Sequence, residues 1–217
     1  MRILVVTAVP AEADAVRAGA SGLDVLAAGV GPAAAAVATA TALAKAPNDR
    51  RYDLVISAGI GGGFQPAAPV GSLVVADRIV AADLGAETAE GFVPVTDLGF
   101  GSIAHDPPAD LVRRLVAAAG GAAGTVLTVS TVTGTAERAA ELAARHPGAL
   151  AEAMEGFGVA EAAAAHGLPV LEVRAISNPV GPRDRAAWRI GDALAALTEA
   201  FGKLVPVLNE PEPGGTP

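Results

Sequence analysis

The feature that most constrains the fold is a series of short apolar runs, each about the length of a strand, separated by segments of helical character. The first run, Ile3 to Thr7, is apolar up to its last residue, as is typical of a strand buried on both faces of a sheet. Pro10 then begins a helix, since proline is favoured in the first helical turn. This alternation predicts an α/β fold, a three-layer α/β/α sandwich with a mixed central β-sheet.

The rest of the chain divides in the same way. A long β-rich stretch from Ser72 to Asp83 has no helix before it, so the sheet is not expected to be a pure βαβ succession. The other predicted strands are Leu23–Ala27, Asp53–Ala58, Thr125–Ser130, Ala151–Met154 and Pro169–Ser177. The other predicted helices are Pro32–Lys45, Asp110–Ala118, Thr135–Arg145, Gly156–His166 and Ala187–Leu204.

Length and composition predict one domain. The 217 residues are 52% hydrophobic and 18% charged, without an internal shift that would mark a second domain. We expect residues 1–206 to form this single domain. Residues 207–217, which end in a stretch rich in proline and glycine, are expected to form a disordered C-terminal tail.

Charge and residue usage exclude several classes of function. The net charge of −8 offers no basic surface for a phosphate backbone, so nucleic acid is not an expected partner. The chain has no cysteine and only three histidines, which lack metal-ligand spacing, so no metal site and no bound cofactor are predicted. No apolar run has the length of a membrane span or a signal peptide, and a cytoplasmic protein is expected.

Polar residues that follow the predicted strands are the candidates for chemistry, because ligands bind at strand ends in such sheets. Glu12 follows the first strand and could serve as a base, or it could be a surface residue in the first turn of a helix. Glu155, between a short strand and a glycine-started helix, could accept two hydroxyl donors, or it could stabilise the helix dipole. Asn178 could bind two adjacent groups of a base, or it could initiate a turn before Pro179.

Two other features are expected to be structural. The glycine run from Gly59 to Gly63 is not a dinucleotide loop, since Phe64 and a β-rich stretch follow where a helix must begin. We expect it to keep the backbone close to a ligand or a neighbouring strand. Arg174, inside a core strand, is interpreted as a buried ion-pair partner.

Residues 1 to about 204 resemble the nucleoside phosphorylase superfamily through four motifs in the family's order. The motifs are Val6–Glu12, Ser57–Gly59 with the following glycines and Val70–Ser72, Ala153–Gly156, and Arg174–Asn178. Within the superfamily they are most similar to the futalosine hydrolases of menaquinone biosynthesis, and next to the methylthioadenosine/S-adenosylhomocysteine nucleosidases. The resemblance implies cleavage of a small-molecule nucleoside, without metal or cofactor, by a homodimer or larger homo-oligomer.

The resemblance also implies roles for individual residues. Glu12 matches the carboxylate that orients and activates the attacking water, and Asn178 with Ser177 matches the positions that support the leaving base near N7. Asn178 stands where the adenosine-type nucleosidases carry Asp, which favours a 6-oxopurine such as hypoxanthine, because an amide nitrogen can donate to O6. The remaining substrate-binding positions are Ala58 and Gly59 along the sugar, Val132 beside the base, Met154 and Glu155 at the ribose, and Trp188 at the 5′ side or, alternatively, in the core.

The absence of phosphate-binding arginines favours hydrolysis over phosphorolysis. Ala13, Pro32 and Phe64 occupy the regions where phosphorylases of the superfamily hold phosphate with arginine. The carboxylated tail of futalosine is expected to meet His105 of a neighbouring subunit, Arg183 or Arg185. Two alternatives stay open: a nucleosidase of the methylthioadenosine type or a purine nucleoside phosphorylase, and a noncatalytic nucleoside sensor.

Overall fold

The computed structural model describes residues 1–210, which form ten β-strands and six α-helices. The strands are β1 (Ile3–Thr7), β2 (Asp24–Ala27), β3 (Leu54–Gly63), β4 (Leu73–Ala81), β5 (Gly85–Thr88), β6 (Gly91–Pro94), β7 (Ala104–His105), β8 (Ala122–Thr128), β9 (Ala149–Ala153) and β10 (Val170–Pro179). The helices are α1 (Pro10–Gly19), α2 (Pro32–Lys45), α3 (Ala109–Ala119), α4 (Ala136–Arg145), α5 (Gly156–Ala165) and α6 (Ile190–Asn209).

The sheet is organised around β3, which is long enough to pair with three neighbours. Its first half pairs in parallel with β1, which in turn pairs with β2. β10 pairs in parallel along almost the whole of β3, and β9 pairs antiparallel with its last two residues. Because β10 also pairs with β4, β4 with β8 and β8 with β9, these five strands close into a ring. The mixed sheet was predicted, but its closure was not.

Helices cover both faces of the sheet, which confirms the predicted α/β architecture. On one face α1, α3 and α6 pack around a core that includes Leu115 and Phe201. On the other face α2 and α5 pack over a second core that includes Val159. A Cβ at Gly158 in α5 would lie 2.0 Å from the carbonyl oxygen of Pro32 at the start of α2. The close approach of these two helices therefore requires glycine.

The structure differs from the predicted elements mainly where two strands run further than expected. β3 continues through Gly59 to Gly63, which was predicted to follow the strand, because β10 and β9 hold this segment in an extended conformation. β10 likewise continues past Ser177 to Pro179, so Asn178 lies inside a strand and not after it. The hairpin of β5 and β6 and the short β7 were not predicted.

The C-terminal boundaries also shift. α6 begins at Ile190, after a short 3-10 helix at Arg185–Ala187, and continues to Asn209. Residues 207–209 of the predicted tail are therefore helical, while residues 211–217 lie outside the described part of the chain. No helix within residues 1–210 has a stretch long and apolar enough to cross a membrane.

Candidate active site

A cavity of about 300 Å³ opens where strands β1, β3, β9 and β10 end. Seven of the nine predicted site residues line it: Glu12, Val132, Met154, Glu155, Ser177, Asn178 and Trp188. They come from five separate segments of the chain, so only the folded sheet brings them together. A cleft of this size with a few convergent polar groups is the usual form of a small-molecule site.

Glu12 is held at the cavity by backbone amides. It is buried, and its Oε2 accepts hydrogen bonds from the N–H groups of Ala8 (3.0 Å) and Val9 (3.2 Å). Its Oε1 accepts one from the N–H of Ile60 at 2.9 Å. The alternative of an exposed surface residue is therefore wrong. Three fixed donors leave the carboxylate with one orientation and with one lone pair, on Oε1, still available to a ligand.

Ala58 and Gly59 do not line the cavity, although the resemblance implied that their backbone passes the sugar. Ala58 is buried in the hydrophobic core. Gly59 lies behind the catalytic candidate, since a Cβ there would be 2.5 Å from Oε1 of Glu12 and 2.7 Å from Nη1 of Arg174. Because β3 runs on past Ala58, the residues of this strand that line the cavity are Ile60, Gly61 and Gly62.

Glu155 is fixed from three sides. Its Oε1 accepts a hydrogen bond from the N–H of Gly31 at 3.1 Å, and its Oε2 accepts one from Met154 at 3.3 Å. Nη1 of Arg174 lies 3.5 Å from the same Oε2. Glu155 is the N-cap residue of α5, as the helix-terminus alternative requires, but its side chain makes no capping hydrogen bond to that helix and is held by Gly31, Met154 and Arg174. Each oxygen retains a lone pair for a hydroxyl donor.

Arg174 is the buried cation behind these carboxylates, as the sequence predicted. Its Nε donates to Oε1 of Glu172 at 2.9 Å, and its Nη2 donates to Oγ of Ser57 at 2.9 Å. Burial alone would lower the pKa of this guanidinium, but the surrounding carboxylates, with Glu172 the strongest, outweigh burial and raise the pKa. A Cβ at Gly156 would lie 2.1 Å from Oε2 of Glu172, so the first residue of α5 must be small.

Ser177 and Asn178 form a second polar group at the cavity. The hydroxyl of Ser177 lies 2.8 Å from Oδ1 of Asn178 and 3.2 Å from the carbonyl oxygen of Gly61. The amide nitrogen of Asn178 donates to the carbonyl oxygen of Pro179 at 3.0 Å. Because Asn178 pairs with Gly62 inside the sheet, the alternative of a simple turn is wrong.

Apolar and cationic groups complete the rim. Val132 is 40% exposed, and Trp188 is half-buried between the 3-10 helix and α6, so the alternative of Trp188 in the core is wrong. The guanidinium carbons of Arg183 and Arg185 lie 5.9 Å and 6.0 Å from the centre of the Trp188 ring. His105 does not line the cavity of its own chain; its Nε2 is 2.6 Å from Oε1 of Glu161.

One pair of cavity residues escaped the sequence analysis. Glu152 in β9 and Thr133 both line the cavity and are buried. The N–H of Thr133 donates to Oε1 of Glu152 at 2.9 Å, and its hydroxyl donates to Oε2. A glutamate within the short apolar strand Ala149–Ala153 was the signal in the sequence. Residues 1–210 contain no group of His, Cys, Asp and Glu side chains arranged to hold a metal ion.

Comparison with known proteins gives a consistent result. The model of a family described as the phosphorylase superfamily matches residues 3–206. The chain is 68% identical to futalosine hydrolase of Streptomyces coelicolor, over 98% of this chain and 99% of that protein. It is 48% identical to futalosine hydrolase of Acidothermus cellulolyticus, over 93% of this chain and 89% of that protein.

A solved structure agrees at the level of the fold. The methylthioadenosine/S-adenosylhomocysteine nucleosidase of Neisseria meningitidis, in complex with methylthio-immucillin-A, superposes with a TM-score of 0.79 at 20% identity, covering 95% of this chain and 99% of that one. The predicted fold is thereby confirmed, and so is the resemblance on which the roles of the site residues depend.

Proposed function

The chain belongs to the phosphorylase superfamily, and on this premise we propose that it is a metal-independent N-glycosidase that hydrolyses futalosine. The products are hypoxanthine and dehypoxanthine futalosine, and the reaction belongs to menaquinone biosynthesis. The observation that carries the proposal is the identity of 68% to the Streptomyces futalosine hydrolase along nearly the whole chain. The arrangement of carboxylates and amide around one cavity supplies a chemical route for it.

The ribose is bound by Glu155. Its two carboxylate oxygens each accept one backbone N–H, which leaves each a lone pair for one hydroxyl of the vicinal diol. Met154, adjacent in sequence and at the same wall of the cavity, packs against the sugar. Arg174, 3.5 Å from Glu155, keeps this carboxylate in place, because a buried anion without a cation would be costly.

Glu12 activates the water. Its carboxylate accepts a proton as the water oxygen attacks C1′, while the bond from C1′ to N9 breaks and its electrons leave with the base. The sugar passes through an oxocarbenium-like state, as in other glycosidic cleavages. The three amides that hold Glu12 fix the position from which its carboxylate takes the proton of the water. The carboxylate therefore does not have to reorient at the moment of reaction.

Asn178 supports the departing base. Its amide nitrogen has one proton beyond the one given to Pro179, and this proton suits O6 of hypoxanthine. The base leaves as an anion and takes a proton from solvent water at N7, and the oxygen of Asn178, oriented by the hydroxyl of Ser177, accepts a hydrogen bond from that N7–H. Adenine carries an amino group where hypoxanthine carries O6, and it would present a donor to the amide donor of Asn178.

We also propose a cytoplasmic homodimer or larger assembly in which the neighbour completes the 5′ side. Arg183 lines the cavity beside Trp188 and suits the carboxylate of the futalosine tail, with Arg185 and the partner's His105 as further candidates. Replacing all three residues should raise the KM for futalosine and leave the Kd of free hypoxanthine, which lacks the tail, unchanged. An unchanged KM for futalosine would overturn this assignment of the tail-binding residues. The homodimer or larger assembly is tested separately, by measuring the molar mass in solution with light scattering.

The decisive test is detection of free base after incubation of the purified protein with futalosine, inosine or methylthioadenosine in phosphate-free buffer. Hypoxanthine from futalosine is expected, with little base from the other two. Adenine from methylthioadenosine would contradict the role of Asn178, and release of base only after phosphate is added would indicate a phosphorylase. A protein that binds these nucleosides but releases no base with or without phosphate would be a sensor.

A further inference from the structure

Glu152 is a cavity-lining carboxylate for which the reaction described above has no use. It is only 4% exposed, and within residues 1–210 no cation lies in ion-pair contact with it; both its hydrogen bonds come from Thr133. Burial raises the pKa of Glu152, and the hydrogen bonds from Thr133 oppose this only in part. A buried carboxylate without a cation costs stability, so its presence calls for a role in binding.

Its position is set by the register of three adjacent strands. Glu152 in β9 is directly opposite Gly62 in β3, and Gly62 is directly opposite Asn178 in β10. Since neighbouring strands are about 4.8 Å apart, the Cα atoms of Glu152 and Asn178 are separated by roughly 10 Å. A Cβ at Gly62 would be 3.3 Å from Nδ2 of Asn178. That Cβ would also be 3.0 Å from Cγ2 of Val180, so the backbone of Gly62 and the side chain of Val180 form the wall between the two polar groups, and both residues line the cavity.

The pair of Glu152 and Thr133 presents acceptors to this space. The N–H and the hydroxyl of Thr133 are both given to the carboxylate, so neither is free to donate to a ligand. Each carboxylate oxygen keeps a second lone pair. A ligand edge that meets this wall must therefore supply a donor.

We propose that Glu152 is the base-selecting residue, whose carboxylate accepts the N1–H of a 6-oxopurine while Asn178 binds the O6 and N7 edge across Gly62. A 6-aminopurine has no hydrogen on N1 and would direct a lone pair at the carboxylate, which leaves a buried acceptor facing an acceptor. This inference rests on the proposed function, because it assigns the base side of the same cavity.

The test is the binding of free hypoxanthine and free adenine, measured by calorimetry on the wild type and on Glu152→Gln. The glutamine oxygen can still accept from the N–H of Thr133, while its amide nitrogen brings a donor to the wall. We expect the wild type to prefer hypoxanthine. The variant should lose about tenfold or more in hypoxanthine affinity and gain in adenine affinity, as expected when a hydrogen-bond acceptor becomes a donor.

Glu137→Gln is the matched control, because Glu137 is an exposed residue of α4 that does not line the cavity; its base preference should equal that of the wild type. If Glu152→Gln does not fold, Thr133→Val tests the same inference. It replaces the hydroxyl that orients Glu152 with a methyl group, and about a threefold loss of hypoxanthine preference is expected, because the N–H of Thr133 still holds the carboxylate. An unchanged base preference in the folded variant, or a wild type that binds neither base, overturns the inference.

Hydrolysis of futalosine by the wild type is measured in parallel. A wild type that cleaves futalosine, together with a Glu152→Gln variant that keeps the wild-type base preference, leaves the proposed function intact and removes the inference. If the wild type prefers hypoxanthine and Glu152→Gln does not, but the wild type releases no base from futalosine, the inference stands and the proposed function is overturned.

Discussion

The two sides of the cavity hold their polar groups in different ways. On the sugar side Glu12 and Glu155 surround a buried cation, Arg174, and are fixed by backbone amides. On the base side Ser177 and Asn178 are uncharged, and Glu152 has no cation within ion-pair distance among residues 1–210. Glu152 is held by the N–H and the hydroxyl of Thr133, and Asn178 is held by Ser177 and Pro179. In the proposed mechanism the sugar side stabilises charge that develops in the reaction, whereas the base side matches donors and acceptors. Changes on the sugar side should therefore affect rate and folding, and changes on the base side should affect substrate choice.

The largest effect is expected from Glu12→Gln. The amide cannot take the proton of the attacking water, so kcat for futalosine should fall by about 10³-fold, within the range of general-base catalysis. KM should change little, because Glu155 and Asn178 still bind the substrate. Steady-state kinetics with release of hypoxanthine measure both. A large rise in KM with kcat preserved would mean that Glu12 binds substrate and does not activate water.

Arg174→Met should have the next largest effect, which is expected on the stability of the fold. It leaves the carboxylates of Glu172 and Glu155 buried without their cation, which typically costs about 3–5 kcal/mol of unfolding free energy. Urea denaturation measures the change. Adding Glu172→Gln to the variant should recover part of the loss, because it removes one of the two stranded anions. A loss of less than about 1 kcal/mol would mean that the ion pair is nearly balanced by its own desolvation.

Substitutions at two glycines of β3 should distinguish the sugar side of the cavity from the base side. A Cβ at Gly59 would lie 2.5 Å from Oε1 of Glu12 and 2.7 Å from Arg174, whereas one at Gly62 would lie 3.0 Å from Cγ2 of Val180 and 3.3 Å from Nδ2 of Asn178. Gly59→Ala should displace the fixed sugar side and reduce kcat by about 10²-fold, as expected for a misplacement of about 1 Å. Gly62→Ala meets the neighbouring side chains at longer distances and touches the base side, so it should mainly raise KM. Futalosine kinetics of both variants test the contrast, and equal losses of kcat would contradict it.

How far the sequence predicted this molecule also differs between its regions. β1 and α2 were predicted at their observed bounds, because a continuous apolar run and an alanine-rich segment after a proline are local signals. The end of β3 was not predicted, since it depends on pairing with β9 and β10, which are about 90 to 120 residues away in the chain. The resemblance implied Ala58 and Gly59 along the sugar, whereas Gly61 and Gly62 were covered only by the broader expectation that the glycine run lies close to a ligand or a neighbouring strand.

The same limit applies to Glu152. The motifs that carry the family resemblance include Met154 and Glu155 but not Glu152, and a glutamate in a short strand is equally compatible with a solvent-facing position. Only the pairing of β9 with Gly62 and the contact with Thr133 turn its side chain to the cavity. Residues fixed by long-range register are the ones that a local pattern cannot locate.

The smallest effect is expected from the pH dependence of stability in Glu152→Gln. Burial raises the pKa of Glu152 in the folded state above its ordinary value of 4.5, which applies to the unfolded state. At a pH between the unfolded and the folded pKa, the folded state therefore binds more protons than the unfolded state. The wild type gains stability from this group as the pH falls through that range. Above the raised pKa the ionised carboxylate therefore costs stability. The variant, which lacks it, should be slightly more stable there, and its advantage should shrink as the pH is lowered towards 4.5.

Urea denaturation of both proteins across this pH range measures the difference between their free energies of unfolding. In this difference the titration of all the groups that the two proteins share cancels. Arg138 and Asp83 are the charged residues whose fields act on Glu152, and they do so in opposite directions. Glu137→Gln, with its exposed carboxylate, should follow the wild type. A variant that is less stable than the wild type at pH 7 would mean that the carboxylate contributes to folding through Thr133. The base side would then resemble the sugar side, and the distinction between a charge-stabilising and a base-selecting wall would fail.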